Sequence, residues 1–178
     1  MSESAASAGP ALPSPAAALQ ARFEHIHRHQ MAGVPMLNPA LQVQAIGFRP
    51  WSEHWLGVLV TPWFMNLMLL PRVQERWQPI PERDSRHYVF PAGVFEFIGG
   101  RDVELGDYQA CSLFSPMFEF ADHAAAHDTA VAALAALFDA QHRPRSDAPP
   151  QEPTAPAAPE LSKRDFLFRG AARGPREP

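Results

Sequence analysis

The chain has 178 residues, a net charge of −4 and a 46% hydrophobic composition, which fits one domain with tails and permits a sizeable core. The charge is too mild for a nucleic-acid partner, and the single cysteine, Cys111, excludes an intramolecular disulfide and any zinc site built from several thiolates. Met1 to Ala5 has no positive or continuous apolar stretch, and Leu56 to Leu70 is broken by Pro62 and Asn66 short of the roughly 20 residues of a membrane helix, so neither a secretory signal nor direct membrane insertion is expected.

Proline marks the boundaries. Three of the 20 prolines lie within residues 1–15 and eight within 142–178. Residues 1–15 read as a disordered tail, 16–141 as the folded domain, 142–159 as a Pro/Ala-rich linker and 160–178 as a basic tail.

Ala16 to Met31 reads as a helix with Leu19, Phe23, Ile26 and Gln30 on one face, ended by Gly33 and Pro35. Asn38-Pro39 is a turn signal. Gln42 to Phe48 alternates with period two, as a half-buried strand does. Leu56 to Val60 and Phe64 to Leu70 are continuous apolar runs, separated by Pro62, that suit strands covered on both faces. His87 to Phe90, Val94 to Ile98 and Tyr108 to Phe114 are further strands, with turns expected at Pro91-Ala92-Gly93 and Gly99-Gly100-Arg101-Asp102. Phe118 to Ala140 is an alanine-rich helix whose apolar stripe is Phe120, Ala124, Val131, Leu134 and Phe138. Helix, six short strands and helix predict an α+β single domain: a mostly antiparallel sheet with both helices packed on it.

Few residues offer chemistry. His25 and His29 stand four apart on the first helix, as do His123 and His127 on the last, and either pair could chelate nickel or iron. The plainer reading is a solvated helix face. Cys111 lies mid-strand with no basic neighbour and reads as core. Asp102 and Glu104 read as surface acids near a turn; Glu119 and Asp122 read as acids favoured by a helix start. No nucleophile elbow, phosphate loop or dinucleotide fingerprint is present, so neither catalysis nor a cofactor is expected.

Two segments stand apart. Thr61-Pro62-Trp63-Phe64-Met65-Asn66 sets two rings and a methionine beside a break in the sheet, with Pro116, Met117 and Phe118 at the last strand-to-helix junction. Aromatic and Met side chains of this kind fit either a core or a protein-docking surface. The tail 160–178 carries Lys163, Arg164, Arg169, Arg173 and Arg176 against Glu160, Asp165 and Glu177, and so is basic while the body is acidic. Phe166, Leu167 and Phe168 are unusual after a proline-rich linker.

These strings resemble the HybE/HupJ family of [NiFe]-hydrogenase assembly chaperones. The resemblance rests on Asn38-Pro39-Ala40-Leu41, Gly57 to Leu67 with Leu69-Leu70-Pro71, Pro91-Ala92-Gly93 with Phe95-Glu96-Phe97, and Ser112 to Met117 with Phe120-Ala121. It implies an α+β fold, no catalysis, a cytoplasmic location, and action on hydrogenases exported folded by the twin-arginine route. The implied partners are the iron–sulfur small-subunit precursor that carries the export signal, the large subunit, or other maturation factors. Pro62 to Asn66 with Pro116 to Phe118 are then the candidate client surface. Ser162-Lys163-Arg164-Asp165-Phe166-Leu167 resembles the twin-arginine motif itself, with Lys163 for the first arginine and Phe168 for the final lysine. Standing at the wrong end for a working signal, Ser162, Lys163, Arg164, Phe166 and Leu167 are expected to act as a signal mimic.

Overall fold

A computed structural model describes residues 10–142. The order is α1 (Ala16–His29), β1 (Gln44–Trp51), β2 (His54–Val60), β3 (Met65–Pro71), β4 (Ser85–Phe90), β5 (Gly93–Asp102), β6 (Gly106–Phe114) and α2 (His123–Ala136). The six strands form one sheet in the order β1-β2-β3-β6-β5-β4, with every neighbouring pair antiparallel. The α+β expectation therefore holds, with two helices and six strands in the predicted order.

The sheet curls. β1 and β4 are its opposite edges, which in a flat sheet would stand about 24 Å apart at five strand spacings. Instead Trp51 of β1 stacks on Phe90 of β4 with ring centroids 4.4 Å apart. The side that carries this contact is concave and is filled by Leu56, Val58, Leu67, Leu69, Phe97 and Cys111, with α2 closing it. α1 lies on the convex side, where Leu19 and Phe23 bury against Val43, Leu59, Met68 and Leu70. β2 and β3 are thus covered on both faces, which is why their sequences run apolar without alternation.

Several boundaries differ from the sequence reading. The last helix starts at His123, because Asp122 adopts an extended backbone and its side chain accepts a 2.8 Å hydrogen bond from the Ala125 N–H. Phe118 to Ala121 precede the helix, so Glu119 is not in its first turn. Its buried stripe is Ala126, Ala130, Ala133, Leu134 and Leu137; Ala124 and Val131 face solvent. In a helix that is apolar all round, periodicity does not select a face. The small residues win because the sheet approaches closely: a Cβ on Gly47 would come within 2.6 Å of Leu134. Gly99-Gly100 is not a turn but lies inside β5. A Cβ at Gly99 would stand 2.2 Å from the Ile80 carbonyl oxygen, so the glycine serves close backbone passage. The turn falls after Asp102 and uses Gly106 at φ +75°.

Candidate functional site

The two segments singled out in the sequence meet at one end of the sheet. The β2–β3 turn, Thr61 to Phe64, is organised by Thr61, which is fully buried. Its Oγ1 accepts from the Phe64 N–H at 2.9 Å and the Trp63 N–H at 3.3 Å. Asn38, also buried, joins this turn to the β6–α2 connection. The Asn38 backbone N–H donates to the Pro62 carbonyl at 2.8 Å, and its side-chain amide donates to the carbonyls of Met117 (2.9 Å) and Phe120 (2.8 Å). Ser115 adds a 3.4 Å bond from Oγ to the Trp63 carbonyl. Asn38 read only as a turn residue in the sequence; its bridging role depends on segments about 80 positions away and left no local signal.

The candidate residues divide by depth. Met65 and Met117 are fully buried and Pro62 is buried, so they form the floor under the surface rather than the surface. Phe64 is half-buried and meets Phe23 of α1 edge to face at 5.8 Å. Trp63, also half-buried, lies between the Phe64 ring at 5.5 Å and the His27 ring at 5.8 Å. Asn66 is half-buried on β3, and its Oδ1 is enclosed without a hydrogen-bond partner. Pro116 is exposed, and Phe118 is 59% exposed, uncommon for an aromatic ring.

The apolar surface continues beyond these segments. Strand pairing places Val89 opposite Val94, His87 opposite Glu96 and Ser85 opposite Ile98 on β4 and β5. Ile98 in turn pairs with Ala110 of β6, and Ala110 with Met68 of β3, the residue against which α1 packs. Val89, Val94 and Ile98 therefore share the convex face with α1, yet stay 71%, 50% and 49% exposed. The sequence showed His87 to Phe90 and Val94 to Ile98 as strands without showing that the convex face beyond α1 is bare.

The histidines separate. His25 and His29 are exposed on α1 with rings 4.3 Å apart, while His27 stacks toward Trp63. His123 is engaged: Nδ1 accepts from the Gln42 N–H at 3.3 Å and Nε2 stands 2.8 Å from Gln44 Oε1, an arrangement that fits the Nε2–H tautomer. Burial, helped by His127 and opposed by Asp122, lowers the His123 pKa. Among the described residues no group of three or more His, Cys, Asp or Glu side chains converges as a metal site.

Cys111 is buried in β6. Asp102 is not a plain surface acid. Its carboxylate accepts from Arg22 Nε at 3.0 Å and from the turn N–H groups of Glu104 (2.9 Å) and Leu105 (3.1 Å). Burial pushes its pKa up, but these turn amides and the guanidinium outweigh it and hold the carboxyl below its usual range. Ser162, Lys163, Arg164, Phe166 and Leu167 lie outside the described residues.

The family model for the [NiFe]-hydrogenase assembly chaperone HybE matches residues 14–169. HoxT of Cupriavidus necator is 41% identical over 161 residues, covering 84% of this chain and 86% of that protein. A Rhodobacter capsulatus protein named a probable rubredoxin HupJ is 42% identical over 130 residues, 73% of this chain; the chain spans about half of that protein's length (47%). A four-thiolate iron site cannot be built from one cysteine, so the rubredoxin part of that name is not carried here. The solution structure of HybE from Escherichia coli shares the fold, with a TM-score of 0.55 at 22% identity over 88% of this chain and 99% of that one. With a single-domain fold that matches and a family pattern that spans most of its length, the chain belongs to the HybE family of [NiFe]-hydrogenase assembly chaperones.

Proposed function

We propose that this chaperone binds a precursor subunit of an exported [NiFe]-hydrogenase, the small subunit with its twin-arginine signal or the large subunit, and holds it in the cytoplasm until assembly is complete. It does so by gripping polypeptide and not by transforming a substrate. The observation that carries this reading is the exposed ring of Phe118, next in the chain but one to exposed Pro116, on a connection that Asn38 and Ser115 tie to the β2–β3 turn bearing Trp63. Rings on a fixed base lose little entropy when they dock, which suits them to be binding hot spots.

Phe118 is the cleaner probe, because Phe64 also holds α1 and its removal would disturb packing. Phe118→Ser is expected to leave stability within about 0.5 kcal/mol. It should weaken capture of the purified precursor by about tenfold, near 1.4 kcal/mol. Unchanged capture by a folded Phe118→Ser, Trp63→Ala double variant would remove the assignment of this surface.

A second reading, handling of nickel or iron, has one observation in its favour: the 4.3 Å approach of the His25 and His29 rings. Calorimetric titration with Ni²⁺ decides it, with micromolar binding lost on His29→Ala as the supporting result.

A further inference from the structure

We propose that the bare convex face of β4 and β5, around Val89, Val94 and Ile98, is the docking site for this chain's own residues 163–169, which cover it until a client displaces them. The inference extends the reading above by naming a regulatory occupant, and it concerns a face of the sheet other than the Phe118 surface.

Three observations carry it. The first is the face. Three aliphatic side chains at 71%, 50% and 49% exposure stand on adjacent antiparallel strands, continuous with the apolar layer under α1. Scattered apolar side chains need no explanation, but a cluster beside an uncovered edge strand does. The other edge is protected: β1 carries Pro50 and a bulge between Ile46 and Arg49, and Gln20 of α1 accepts from the Ala45 N–H at 3.2 Å. β4 contains no proline or bulge and pairs on one side only.

The second observation is where the described chain ends. The Leu137 carbonyl, at the end of α2, accepts from the Ala92 N–H in the β4–β5 turn at 3.2 Å, and the Phe138 ring meets Phe90 edge to face at 5.9 Å. The described chain ends at His142, four residues after Phe138. The twenty residues 143–162 reach about 25 Å at random-coil spacing. The six residues of β4 extend about 20 Å. Tethering at that range supplies an effective concentration near millimolar, so even a weak contact is populated.

The third is the segment. Residues 163–169, Lys-Arg-Asp-Phe-Leu-Phe-Arg, set three apolar side chains among four charges, and the family match runs through them to residue 169 and no further. They are basic while the body is acidic, and Glu96 stands within the apolar face.

Lys163 is the only lysine in the chain, so a lysine-specific protease cuts at one bond and reads the segment directly. In the full-length protein without client, cleavage should run about tenfold slower than in a synthetic peptide of residues 158–170, given a contact of about 0.1 mM against a millimolar tether. Val89→Asp and, separately, Ile98→Asp should restore the peptide's rate, and Phe166→Ser with Phe168→Ser should do the same. Equal rates in wild type and both face variants would overturn the proposal. So would slow cleavage that depends on protein concentration, which would identify a second copy as the occupant. Because no client is present, failure here leaves the Phe118 test untouched, and failure of that test leaves this one readable.

Discussion

Asn38 shows how one side chain can hold a surface in place. Its amide satisfies the carbonyls of Met117 and Phe120, and its Oδ1 accepts from the Ala40 N–H at 3.0 Å, all inside the protein. Asn38→Ala strips the Phe120 carbonyl of its donor and leaves the Met117 carbonyl only the Phe120 N–H at 3.3 Å. Urea denaturation should show a loss of about 1–3 kcal/mol, the cost of one enclosed carbonyl left unsatisfied. His54 makes a second residue-scale prediction. It sits among Trp51, Trp77 and Tyr88, and its Nδ1 is enclosed without a hydrogen-bond partner. Burial lowers its pKa below the ordinary 6.5, more than Glu53 raises it. Since the fold prefers the neutral ring, its stabilisation is full above pH 6.5 and is lost as pH falls below that value toward the folded pKa. Urea midpoints between pH 7 and pH 5 should therefore fall, and the fall should be shallower in His54→Phe. His123 titrates in the same sense and accounts for part of the remainder.

At the scale of elements, the joints between helices and sheet are specific. Arg22 on α1 reaches the β5–β6 turn, pairing with Asp102 at 3.0 Å and Glu104 at 3.1 Å; the Arg22 and Asp102 side chains are only 10% and 13% exposed. Arg22→Met leaves the Asp102 carboxylate its turn amides but removes its counter-charge. A cost of about 1–3 kcal/mol is expected, between the values for exposed and fully buried pairs. It should be read as a lower urea midpoint at pH 7 that converges on wild type as Asp102 protonates in acid, because a depressed carboxyl pKa stabilises only above its unfolded value. Gly99 marks a joint of another kind, between β5 and the non-helical segment that leads into β4. Its N–H donates to the Asp84 carbonyl at 2.9 Å while the Ile80 and Pro81 carbonyls crowd its Cα. Those neighbours are backbone and cannot swing aside, so Gly99→Ala should cost about 1–3 kcal/mol or more in thermal or urea unfolding.

For the whole molecule, the two helices are unequal covers. α2 closes the concave side, whereas α1 covers only part of the convex side and leaves β4 and β5 bare. That asymmetry leaves the Val89–Val94–Ile98 face exposed, in addition to Phe118 on the β6–α2 connection. Among the described residues no helix is long and apolar enough to cross a membrane.

Local pattern determined much of this. Unbroken apolar runs announced β2 and β3 as doubly covered strands, period-two alternation over Gln42 to Phe48 announced β1, and the Thr61 to Asn66 and Ser112 to Met117 strings pointed to the family. Such signals arise from neighbours in the chain, so a sequence can display them. The tertiary structure alone decided which alanines of α2 are buried, that Gly99 serves backbone passage, that Asn38 bridges two distant segments, and which candidate residues are floor and which are surface. Each of these depends on what approaches from far along the chain once the sheet curls, and no local periodicity encodes that approach.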